Sequence, residues 1–459
     1  MLSSWTKLQK RVRRLDILAK IGSLDFAGKV FLVGGALREL ALECVPNDYD
    51  FALERASDLK RLEKAFGAHA FLLGKKPLQT YRIVAGDTVM DITMLQGGIE
   101  NDLLRRDFTM NAMAYAVKER SITDPLGGWK DLSSRIIRCP RKESFEEDPL
   151  RMVKAIRHLS TMSGFSLAPE VITSISENGA WIRRAAAERI KHELDLILLA
   201  KHVYRGIDAL RQTGLLFEIF PELLSLLELD RAKGLDPEAL GHTLRAFKYL
   251  GRLRRSFPLT DREAKDVGYA LLFHDLGKAR TFSYDEKKGH VHFFYHERFS
   301  REIAAAIMER LRFSGPQTKA VLSLIENHMR IFLISNRDAT EKATRRLVYK
   351  MEDLTPSLVL LTLLDLYGSS KGKENASTRQ VKKKCREVLA AHEERLKAPL
   401  PRIVDGNDLL ALGFVEGPAL GRILQEIREK QIAGEIEGRE QALDFARRAL
   451  DEFPQAMRS

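Results

Sequence analysis

The sequence VGGALR at Val33–Arg38 precedes NDYDF at Asn47–Phe51, MDIT at Met90–Thr93 and RRDFTMNA at Arg105–Ala112. Apolar and β-branched residues surround the first three stretches, and such residues favour strands. The glycine pair interrupts the first apolar run, and the residues from Ala36 onward have the spacing of a helix. The four stretches therefore predict a region of mixed strands and helices in which several strand ends carry charged side chains.

Two aspartates, Asp48 and Asp50, lie two positions apart in a stretch that favours a strand. Residues at i and i+2 of a strand point to the same face of the sheet. Like charges held so close repel each other unless a cation neutralises them, and Mg²⁺ prefers carboxylate and phosphate oxygens. Asp91, in a second predicted strand, supplies a third carboxylate. The pattern predicts a two-metal Mg²⁺ site for displacement at phosphorus, with these three aspartates as catalytic residues. An isolated D-x-D would instead indicate a turn or a solvated strand end.

The glycine pair, Gly34 and Gly35, separates a predicted strand from a predicted helix. Backbone N–H groups at such a turn can bind phosphate oxygens. Arg38, near the start of the helix, adds a side chain that can donate two parallel hydrogen bonds to a phosphate. The stretch therefore predicts a triphosphate site beside the carboxylates, although a glycine pair alone also fits a plain tight turn.

In this order, the motifs resemble the head domain of class II tRNA nucleotidyltransferases and bacterial poly(A) polymerases, in the polymerase-β superfamily. The first family motif corresponds to Leu32–Glu39 with Asp48 and Asp50, where Glu39 replaces the usual aspartate. The second motif, RRDFTxNAxA, is complete at Arg105–Ala114, and the third, EDxxR, is present at Glu147–Arg151. The resemblance implies transfer of nucleotides from CTP or ATP to an RNA 3′ end.

The resemblance also implies roles for individual side chains. Arg106 would contact the triphosphate, and Asp107 would support the sugar. Lys154 stands where the family often has arginine and loses the planar fork of that side chain, whereas Arg157 matches the pattern. The predicted nucleotide-binding set comprises Gly34, Gly35, Arg38, Arg105, Arg106, Asp107, Asn111, Asp148, Arg151, Lys154 and Arg157.

The EDxxR motif has a physical rationale in base recognition. Asp148 and Arg151 are spaced i, i+3, so on a helix they would share one face. A carboxylate accepts from the exocyclic amino group of cytosine or adenine, and an arginine donates to the adjacent ring nitrogen. Uracil and guanine present the opposite pattern and would leave buried groups unpaired. The motif therefore predicts selection of C and A without a template, whereas alone it would indicate an ordinary salt bridge.

The stretch between Asp91 and Asp102 is short. Relatives that add all three residues of CCA usually carry a longer flexible loop there, which the family associates with the switch from C to A. The sequence thus leaves two activities open, CCA addition and CC addition. For CC addition, we expect efficient incorporation of two Cs and weak incorporation of the terminal A.

A second set of metal-ligand residues follows in the order H…HD…D. It consists of His242, His274, Asp275 and Asp365, and Gly277-Lys278 completes H-D-x-G-K. This order resembles the HD phosphohydrolase superfamily and implies a second divalent metal, held by imidazole and carboxylate groups. Two further histidines, His296 and His328, are candidate ligands or phosphate contacts, whereas His290 and His292 are interpreted as structural.

Composition restricts the class of protein. The chain has 459 residues, a hydrophobic fraction of 44% and a formal net charge of +12. No apolar run is long enough to span a membrane, and the start of the chain lacks a secretory signal. Three scattered cysteines indicate a reducing cytoplasm. The basic balance favours a polyanionic partner but does not choose among tRNA, mRNA and DNA.

The expected fold class is α+β: a polymerase-β-like head with a mixed sheet, followed by helical domains. We predict a head at 1–145, a helical neck or body with the EDxxR motif at 146–225, an HD-type domain at 226–400 and an RNA-binding helical tail at 401–459. The polar, basic stretch Ser370–Lys397 fits a solvated helix or a contact to the tRNA backbone.

Three functional hypotheses follow, with different substrates. The first is template-independent addition of C, and of A if the loop is dispensable, to the 3′ end of tRNA. The second is poly(A) polymerase activity, which the head motifs do not separate from the first. The third is an HD phosphohydrolase whose head only binds RNA. The motifs leave the oligomeric state and the HD substrate open.

Overall fold

The computed structural model describes residues 5–73, 79–233, 238–287, 290–336 and 340–452. The chain forms two compact units. The first comprises residues 1–197 and 208–219, and the second comprises residues 198–207 and 220–459. The last residues of the predicted tail, 453–459, lie outside the described residues.

The first unit contains a seven-stranded sheet in the order β3-β4-β5-β2-β1-β6-β7. Strands β2 and β5 are parallel, and the other neighbours are antiparallel, so the sheet is mixed as predicted. The strands are β1 (Val30–Val33), β2 (Asp48–Leu53), β3 (Phe71–Leu73), β4 (Thr80–Ala85), β5 (Thr88–Met94), β6 (Ala114–Ala116) and β7 (Ser121–Thr123). Two short strands, β8 (Ile136–Ile137) and β9 (Ser166–Leu167), pair separately in parallel.

The burial of β1 and β2 explains their place at the centre of the sheet. All four residues of β1 are buried, as expected of a strand covered on both faces. Strand β2 begins exposed at Asp48 and ends with three buried residues. Its polar start therefore lies at an edge of the core, where charged side chains can reach solvent and ligands.

Helices surround the sheet and continue along the chain. From the N-terminus they are α1 (Trp5–Arg13), α2 (Asp16–Gly22), α3 (Gly35–Ala41), α4 (Leu59–Phe66), α5 (Ile99–Leu104), α6 (Gly128–Ser134), α7 (Ser144–Glu147), α8 (Leu150–Thr161), α9 (Pro169–Asn178), α10 (Ala187–Leu199), α11 (Val203–Gln212) and α12 (Leu215–Ile219). Helix α3 begins at Gly35, the second glycine of the pair, one residue before the predicted start at Ala36.

The second unit is helical apart from the hairpin of β10 (Ser283–Asp285) and β11 (His290–His292). Its helices are α13 (Leu224–Lys233), α14 (Ala239–Leu253), α15 (Asp261–Phe273), α16 (Lys278–Thr281), α17 (His296–Arg310), α18 (Gly315–Asn327), α19 (Arg330–Leu333), α20 (Glu341–Met351), α21 (Thr355–Ser369), α22 (Ala376–Lys397), α23 (Gly406–Ala411), α24 (Pro418–Ile432) and α25 (Arg439–Glu452). The apolar helices α15 and α21 are largely buried.

Two features of the second unit bear on the sequence predictions. The basic stretch Ser370–Lys397 lies mostly in α22, whose polar side chains are largely exposed. The last three helices pack around their own apolar cluster, which includes Leu409, Phe414 and Ile423. Within the described ranges, no helix combines the length and apolar character needed to cross a bilayer.

Candidate active site and metal centre

The three predicted catalytic aspartates lie together on one face of the sheet. Asp48 and Asp50 occupy alternate positions of β2, so their side chains project to the same side. In the parallel pairing of β2 with β5, Asp50 lies directly opposite Asp91. The register therefore places the third carboxylate beside the pair, where a cation between them would have oxygen ligands from two strands.

Gly34 lies directly against the carboxylate of Asp50. Its φ is +77°, in the left-handed region that glycine adopts without strain. A Cβ at this position would overlap Oδ2 of Asp50 and would lie 3.1 Å from Nη1 of Arg106. The absence of a side chain thus lets the carboxylate of Asp50 and the guanidinium of Arg106 approach the backbone at the start of α3.

The carboxylate of Asp50 lies near one arginine and three other aspartates. Burial raises the pKa of Asp50, Arg106 acts in the opposite direction, and the nearby Asp91, Asp107 and Asp48 raise it further. The net pKa shift is upward, so the ionised carboxylate is held at a free-energy cost. A divalent cation would remove that cost, and the oxygen-only donor set fits a hard ion such as Mg²⁺.

Asp91 has a partner that the sequence did not indicate. Arg82, opposite it on β4, donates two parallel hydrogen bonds to its carboxylate, each 2.7 Å long. The pairing orients Asp91 and neutralises part of the negative charge at the site. Because Arg82 and Asp91 meet only through the antiparallel register of β4 and β5, no local sequence signal links them.

A cavity of about 210 Å³ opens next to Gly34 and Asp50. It is lined by Gly34, Gly35, Arg38, Asp50, Arg106, Asp107, Asn111, Arg157 and His158. Three guanidinium groups therefore face a space bordered by a strand–glycine–helix turn. This composition suits a group that carries several negative charges, such as a triphosphate.

Hydrogen bonds hold these cavity side chains in place. Arg38 donates to Oδ1 of Asn111 at 2.7 Å, and Asn111 donates to Oδ1 of Asp107 at 2.8 Å. The same oxygen of Asp107 accepts the backbone N–H of Phe108 at 2.9 Å. The chain of bonds joins α3 to the RRDFTMNA segment, so the two motifs form one rigid wall.

Arg105 and Arg106 are anchored by the buried carboxylate of Asp102. Arg106 donates to one oxygen of Asp102 through Nε and Nη2, at 3.1 and 2.9 Å, and Arg105 donates to the other oxygen. Burial opposes ionisation of Asp102, but the two arginines outweigh it and lower the pKa of Asp102. Arg106 lines the cavity, whereas Arg105 does not, so the two adjacent arginines are placed for different tasks.

Helix α8 closes another side of the cavity. Arg157 is oriented by Glu193, whose Oε2 lies 2.7 Å from its Nε. The next residue, His158, is buried, and burial together with the charges of Arg157, Arg38 and Lys154 lowers its pKa far below the usual value. His158 was not predicted as a site residue and is neutral at physiological pH. Lys154 contributes charge to this wall but does not line the cavity.

The EDxxR motif has a different geometry from the one predicted. Asp148 is extended, with φ −140° and ψ 94°, between α7 and α8. The prediction that Asp148 and Arg151 share a helix face is therefore wrong, because the chain leaves the helical conformation at Asp148, just before Pro149. Arg151 donates to the backbone oxygen of Arg105 at 2.6 Å, and Arg189 of α10 lies 3.2 Å from Asp148.

In the second unit, the predicted HD residues converge. Nε2 of His242 on α14 lies 3.0 Å from Oδ2 of Asp275 and 3.3 Å from Oδ1 of Asp365 on α21. Nε2 of His274 lies 3.2 Å from the same oxygen of Asp275. All four side chains are buried or nearly so. The set provides two imidazole and two carboxylate groups around one small volume, as a divalent transition metal requires.

Two further histidines meet the other oxygen of Asp275. Nε2 of His296 lies 3.2 Å from Oδ1 of Asp275, Nε2 of His328 lies 4.0 Å from it, and the two Nε2 atoms are 3.1 Å apart. The sequence leaves these residues as candidate extra ligands or phosphate contacts. Their placement gives Asp275 one histidine pair on each carboxylate oxygen, a geometry suited to a bridging ligand.

The ring orientation of these histidines supports metal binding. In His242, His274, His296 and His328, Nδ1 lies 2.7–2.9 Å from a backbone oxygen. With Nδ1 as donor, each Nε2 presents its lone pair to the centre, which is the usual arrangement of metal-ligating histidines. His290 and His292 lie on strand β11.

Burial and neighbouring groups shift the pKa values of two histidines at this centre in opposite directions. Burial would lower the pKa of His242, but its hydrogen bonds to Asp275 and Asp365 raise it to about 9. His328, buried and near His274 and His296, has its pKa lowered to about 3. The carboxylates that raise the pKa of His242 would equally attract a divalent cation, and binding of a cation by histidine displaces the proton.

Three family profiles match the sequence. Residues 79–138 match the "Poly A polymerase head domain", residues 164–227 match the "Probable RNA and SrmB- binding site of polymerase A", and residues 239–368 match the "HD domain". The first profile covers Asp91 and the RRDFTMNA motif, and the third covers the complete histidine–aspartate centre. Asp91 and the histidine–aspartate centre therefore lie within matched regions, whereas Asp48 and Asp50 precede the head-domain match.

Two relatives that align with most of this chain show which family it belongs to. A CC-adding tRNA nucleotidyltransferase of Thermus thermophilus is 33% identical over 90% of this chain and 92% of its own length. An A-adding tRNA nucleotidyltransferase of Deinococcus radiodurans is 32% identical over 92% of this chain and 96% of its own length. The chain belongs to the tRNA nucleotidyltransferase family. Its head and HD-type regions are thus parts of one known enzyme architecture.

Solved structures show the same fold for this nucleotidyltransferase. The Thermotoga maritima CCA-adding enzyme complexed with tRNA aligns with a TM-score of 0.63 over 98% of this chain and 99% of that chain, at 20% identity. The apo form I of a CCA-adding enzyme aligns with a TM-score of 0.67 at 19% identity. The predicted α+β fold with helical domains after the head is confirmed.

Proposed function

We propose that this nucleotidyltransferase adds C residues from CTP to the 3′ end of tRNA, with Mg²⁺ held by Asp48, Asp50 and Asp91. The single observation that carries the proposal is the convergence of these carboxylates, through the register of β2 and β5, beside a cavity lined by three arginines. A CC-adding and an A-adding tRNA nucleotidyltransferase align with this chain along more than nine-tenths of their own length, which supports the proposal.

One group of side chains would bind the triphosphate of the incoming nucleotide, and another group would bind its base. Arg38, Arg106 and Arg157 bind the triphosphate, and the backbone at Gly34 admits it close to Asp50. Bound Mg²⁺ would activate the 3′-hydroxyl of the RNA and stabilise the leaving oxygen of pyrophosphate. Arg82 keeps Asp91 oriented while the charge at the site changes. Asp148 and Arg151 read the base, with Arg189 and the Arg105 carbonyl setting their positions.

A preference for C over A is proposed from the connection between β5 and α5. It consists only of residues 95–98, so no long loop is available there to rearrange the base-reading residues after two additions. Asp148 and Arg151 would remain set for the smaller cytosine. We therefore expect efficient addition of two Cs and weak addition of the final A.

The decisive experiment is single-nucleotide incorporation on three tRNA substrates, ending before the first C, after CC and after CCA. We expect CMP incorporation on the first only, and slow AMP incorporation on the second. AMP incorporation as fast as CMP incorporation would overturn the C preference. Long A tracts on unrelated RNA would instead identify a poly(A) polymerase, and the absence of any incorporation would contradict the proposal as a whole.

A second activity, metal-dependent phosphoester hydrolysis, is proposed for the HD centre. It is favoured by the four histidines that direct Nε2 towards the two oxygens of Asp275. A metal held there would supply a bound water as nucleophile. The test is hydrolysis of p-nitrophenyl phosphate and bis-p-nitrophenyl phosphate with Mn²⁺, Co²⁺ or Ni²⁺. A His274→Ala variant should lose this activity, and hydrolysis at the wild-type rate by that variant would place it elsewhere.

A further inference from the structure

A basic cleft lies in the second unit, and its lining includes none of the proposed metal-ligand residues. It forms between the start of α11 and one face of α14, and its volume is about 340 Å³. Five of its lining residues are cationic, and these are Lys201, Arg205, Lys248, Arg252 and Arg255. Every lining residue belongs to the described part of the chain, and none of them is acidic.

The cations come from two directions. Lys248, Arg252 and Arg255 follow the i, i+4, i+7 spacing, which places them on one face of α14 and its continuation. Lys201 and Arg205 face them from the first turn of α11 and the residues before it. Lys201, Lys248, Arg252 and Arg255 are exposed. By contrast, Arg245 on the same helix is paired with Glu238 at 2.6 Å.

The walls of the cleft are held by close contacts. A Cβ on Gly251 would lie only 3.0 Å from the backbone oxygen of Lys201, so a larger residue there would push the two segments apart. Arg254 donates to the backbone oxygen of Leu199 at 2.7 Å. Nζ of Lys248 lies 4.8 Å from the ring centroid of Tyr204 across the cleft. The cations are thus fixed near one another despite their mutual repulsion.

One polar atom in the cleft lacks a partner. Nε2 of His202 is buried and makes no hydrogen bond within the described residues. Burial, with Lys201 and Arg205 nearby, lowers the pKa of His202, so its ring is neutral. Lys201, Arg252 and Arg255 also form no ion pair with any described residue. Lys201, Arg252, Arg255 and Nε2 of His202 therefore remain available to a ligand of the cleft.

We propose that this cleft binds consecutive backbone phosphates of the RNA substrate. Five cations spread over two helices exceed what one phosphate neutralises, whereas adjacent phosphodiesters can match them along the cleft. No acidic side chain lines the cleft to offset this positive charge. The proposal rests on the proposed tRNA substrate and adds a contact outside the catalytic residues.

The test compares tRNA binding by the wild type and by a K201A/R252A/R255A variant. Fluorescence anisotropy with labelled tRNA, without CTP, gives Kd at several salt concentrations. Since each lost phosphate contact removes about 0.7–0.9 from the salt slope, we expect the slope of log Kd against log salt to fall by about two, and Kd to rise at least tenfold. At saturating tRNA, the rate of CMP addition should stay within about twofold of wild type.

A matched control removes three exposed lysines of the first unit, Lys60, Lys118 and Lys130, in a K60A/K118A/K130A variant. It carries the same loss of net charge and should change Kd by less than the cleft variant does. Equal effects in both variants, or wild-type binding and slope in the cleft variant, would overturn the proposal. Circular dichroism and Tm establish that both variants are folded.

Two added measurements separate this proposal from the proposed function. If the wild type fails to incorporate CMP but binds tRNA through the cleft, the function is refuted and the cleft assignment stands. If the wild type incorporates CMP and the cleft variant binds tRNA normally, only the cleft assignment is refuted.

Inorganic phosphate, titrated at constant ionic strength, should compete only weakly with tRNA. Millimolar phosphate that stabilises the wild type without affecting tRNA binding would identify a small-anion site instead.

Discussion

At the scale of single residues, Gly34 combines two constraints in one position. Its positive φ disfavours any side chain, and a Cβ would meet Asp50 and Arg106. Gly86, in the turn between β4 and β5, also has a positive φ, of +58°, but a Cβ there would meet nothing within 4 Å. Substitution of Gly86 therefore tests the effect of backbone strain alone. Substitution of Gly34 tests strain together with displacement of Asp50 and Arg106.

The first prediction follows from this pair. Gly34→Ala and Gly86→Ala should each destabilise the first unit by about 1 kcal/mol or more through strain at positive φ. Only Gly34→Ala should also reduce CMP incorporation, by at least about tenfold, because the new methyl group displaces Asp50 and Arg106. Chemical denaturation and steady-state incorporation measure the two effects. Equal CMP incorporation by both variants would show that a methyl group at position 34 does not disturb the function of Asp50.

The second prediction concerns the cost of ionising Asp50. Its pKa is raised in the folded protein, so above the unfolded-state pKa the charged form destabilises the fold, fully so once the pH exceeds the folded-state pKa. Asp50→Asn removes that charge and should raise Tm at neutral pH in EDTA by roughly 1–3 °C. At pH 3, where the wild-type carboxyl is itself protonated, the difference should shrink.

Mg²⁺ provides the complementary measurement for Asp50. Added Mg²⁺ should stabilise the wild type more than Asp50→Asn, because the variant lacks one ligand. CMP incorporation by the variant should be lost. A variant that is less stable than wild type in EDTA at neutral pH would mean that Asp50 is stabilised by its surroundings, contrary to the electrostatics of the site.

At the scale of elements, the HD centre depends on close packing between α16 and α17. Gly277, just before α16, donates its N–H to Oγ of Ser300 on α17 at 2.8 Å. A Cβ at Gly277 would meet the backbone oxygen of His296 and lie 2.8 Å from the backbone nitrogen of Ser300. Helix α17 carries His296, so the glycine of the H-D-x-G-K motif controls where one histidine pair meets Asp275.

The third prediction tests this packing. Gly277→Ala should shift α17, cost about 1–3 kcal/mol of stability and reduce the metal bound by the HD centre. Gly315→Ala, at the start of α18 where a Cβ meets nothing within 4 Å, is the control and should bind metal as the wild type does. Metal content after reconstitution with Mn²⁺ and removal of excess gives the readout. Full occupancy in Gly277→Ala would show that His296 is not needed for binding.

At the scale of the whole molecule, the two proposed metal sites fall in different compact units. Asp48, Asp50 and Asp91 belong to the first unit, and the histidine–aspartate centre belongs to the second. No residue is shared between the two sets of ligands. The two proposed reactions therefore depend on different residues in different units of the chain.

The fourth prediction is that substitutions separate these activities. A D48A/D50A variant should lower CMP incorporation by at least about 100-fold, since metal ligation of this kind contributes several kcal/mol, and should retain phosphoester hydrolysis. A H274A/D275A variant should show the reverse pattern. Incorporation and hydrolysis assays on both proteins give a crossed comparison. Loss of both activities in a folded D48A/D50A variant would show that the two units are coupled.

The sequence alone determined the parts of this protein that depend on local order. The motifs predicted the strand–glycine–helix turn, the paired aspartates on β2, the strand with Asp91 and the four principal HD residues. Alternation along a strand and spacing along a helix follow from backbone geometry, so they can be read from neighbouring residues. The family followed from the same order of motifs.

Only the tertiary structure decided how distant segments meet. The register of β5 between β2 and β4 brings Asp91 opposite Asp50 and gives it Arg82 as a partner. The break at Asp148 corrects a helical prediction that assumed continuity through Pro149. Likewise, the facing cations of α11 and α14 are far apart in sequence. Register and helix packing depend on which buried surfaces fit together across the fold, and spacing within one segment does not contain that information.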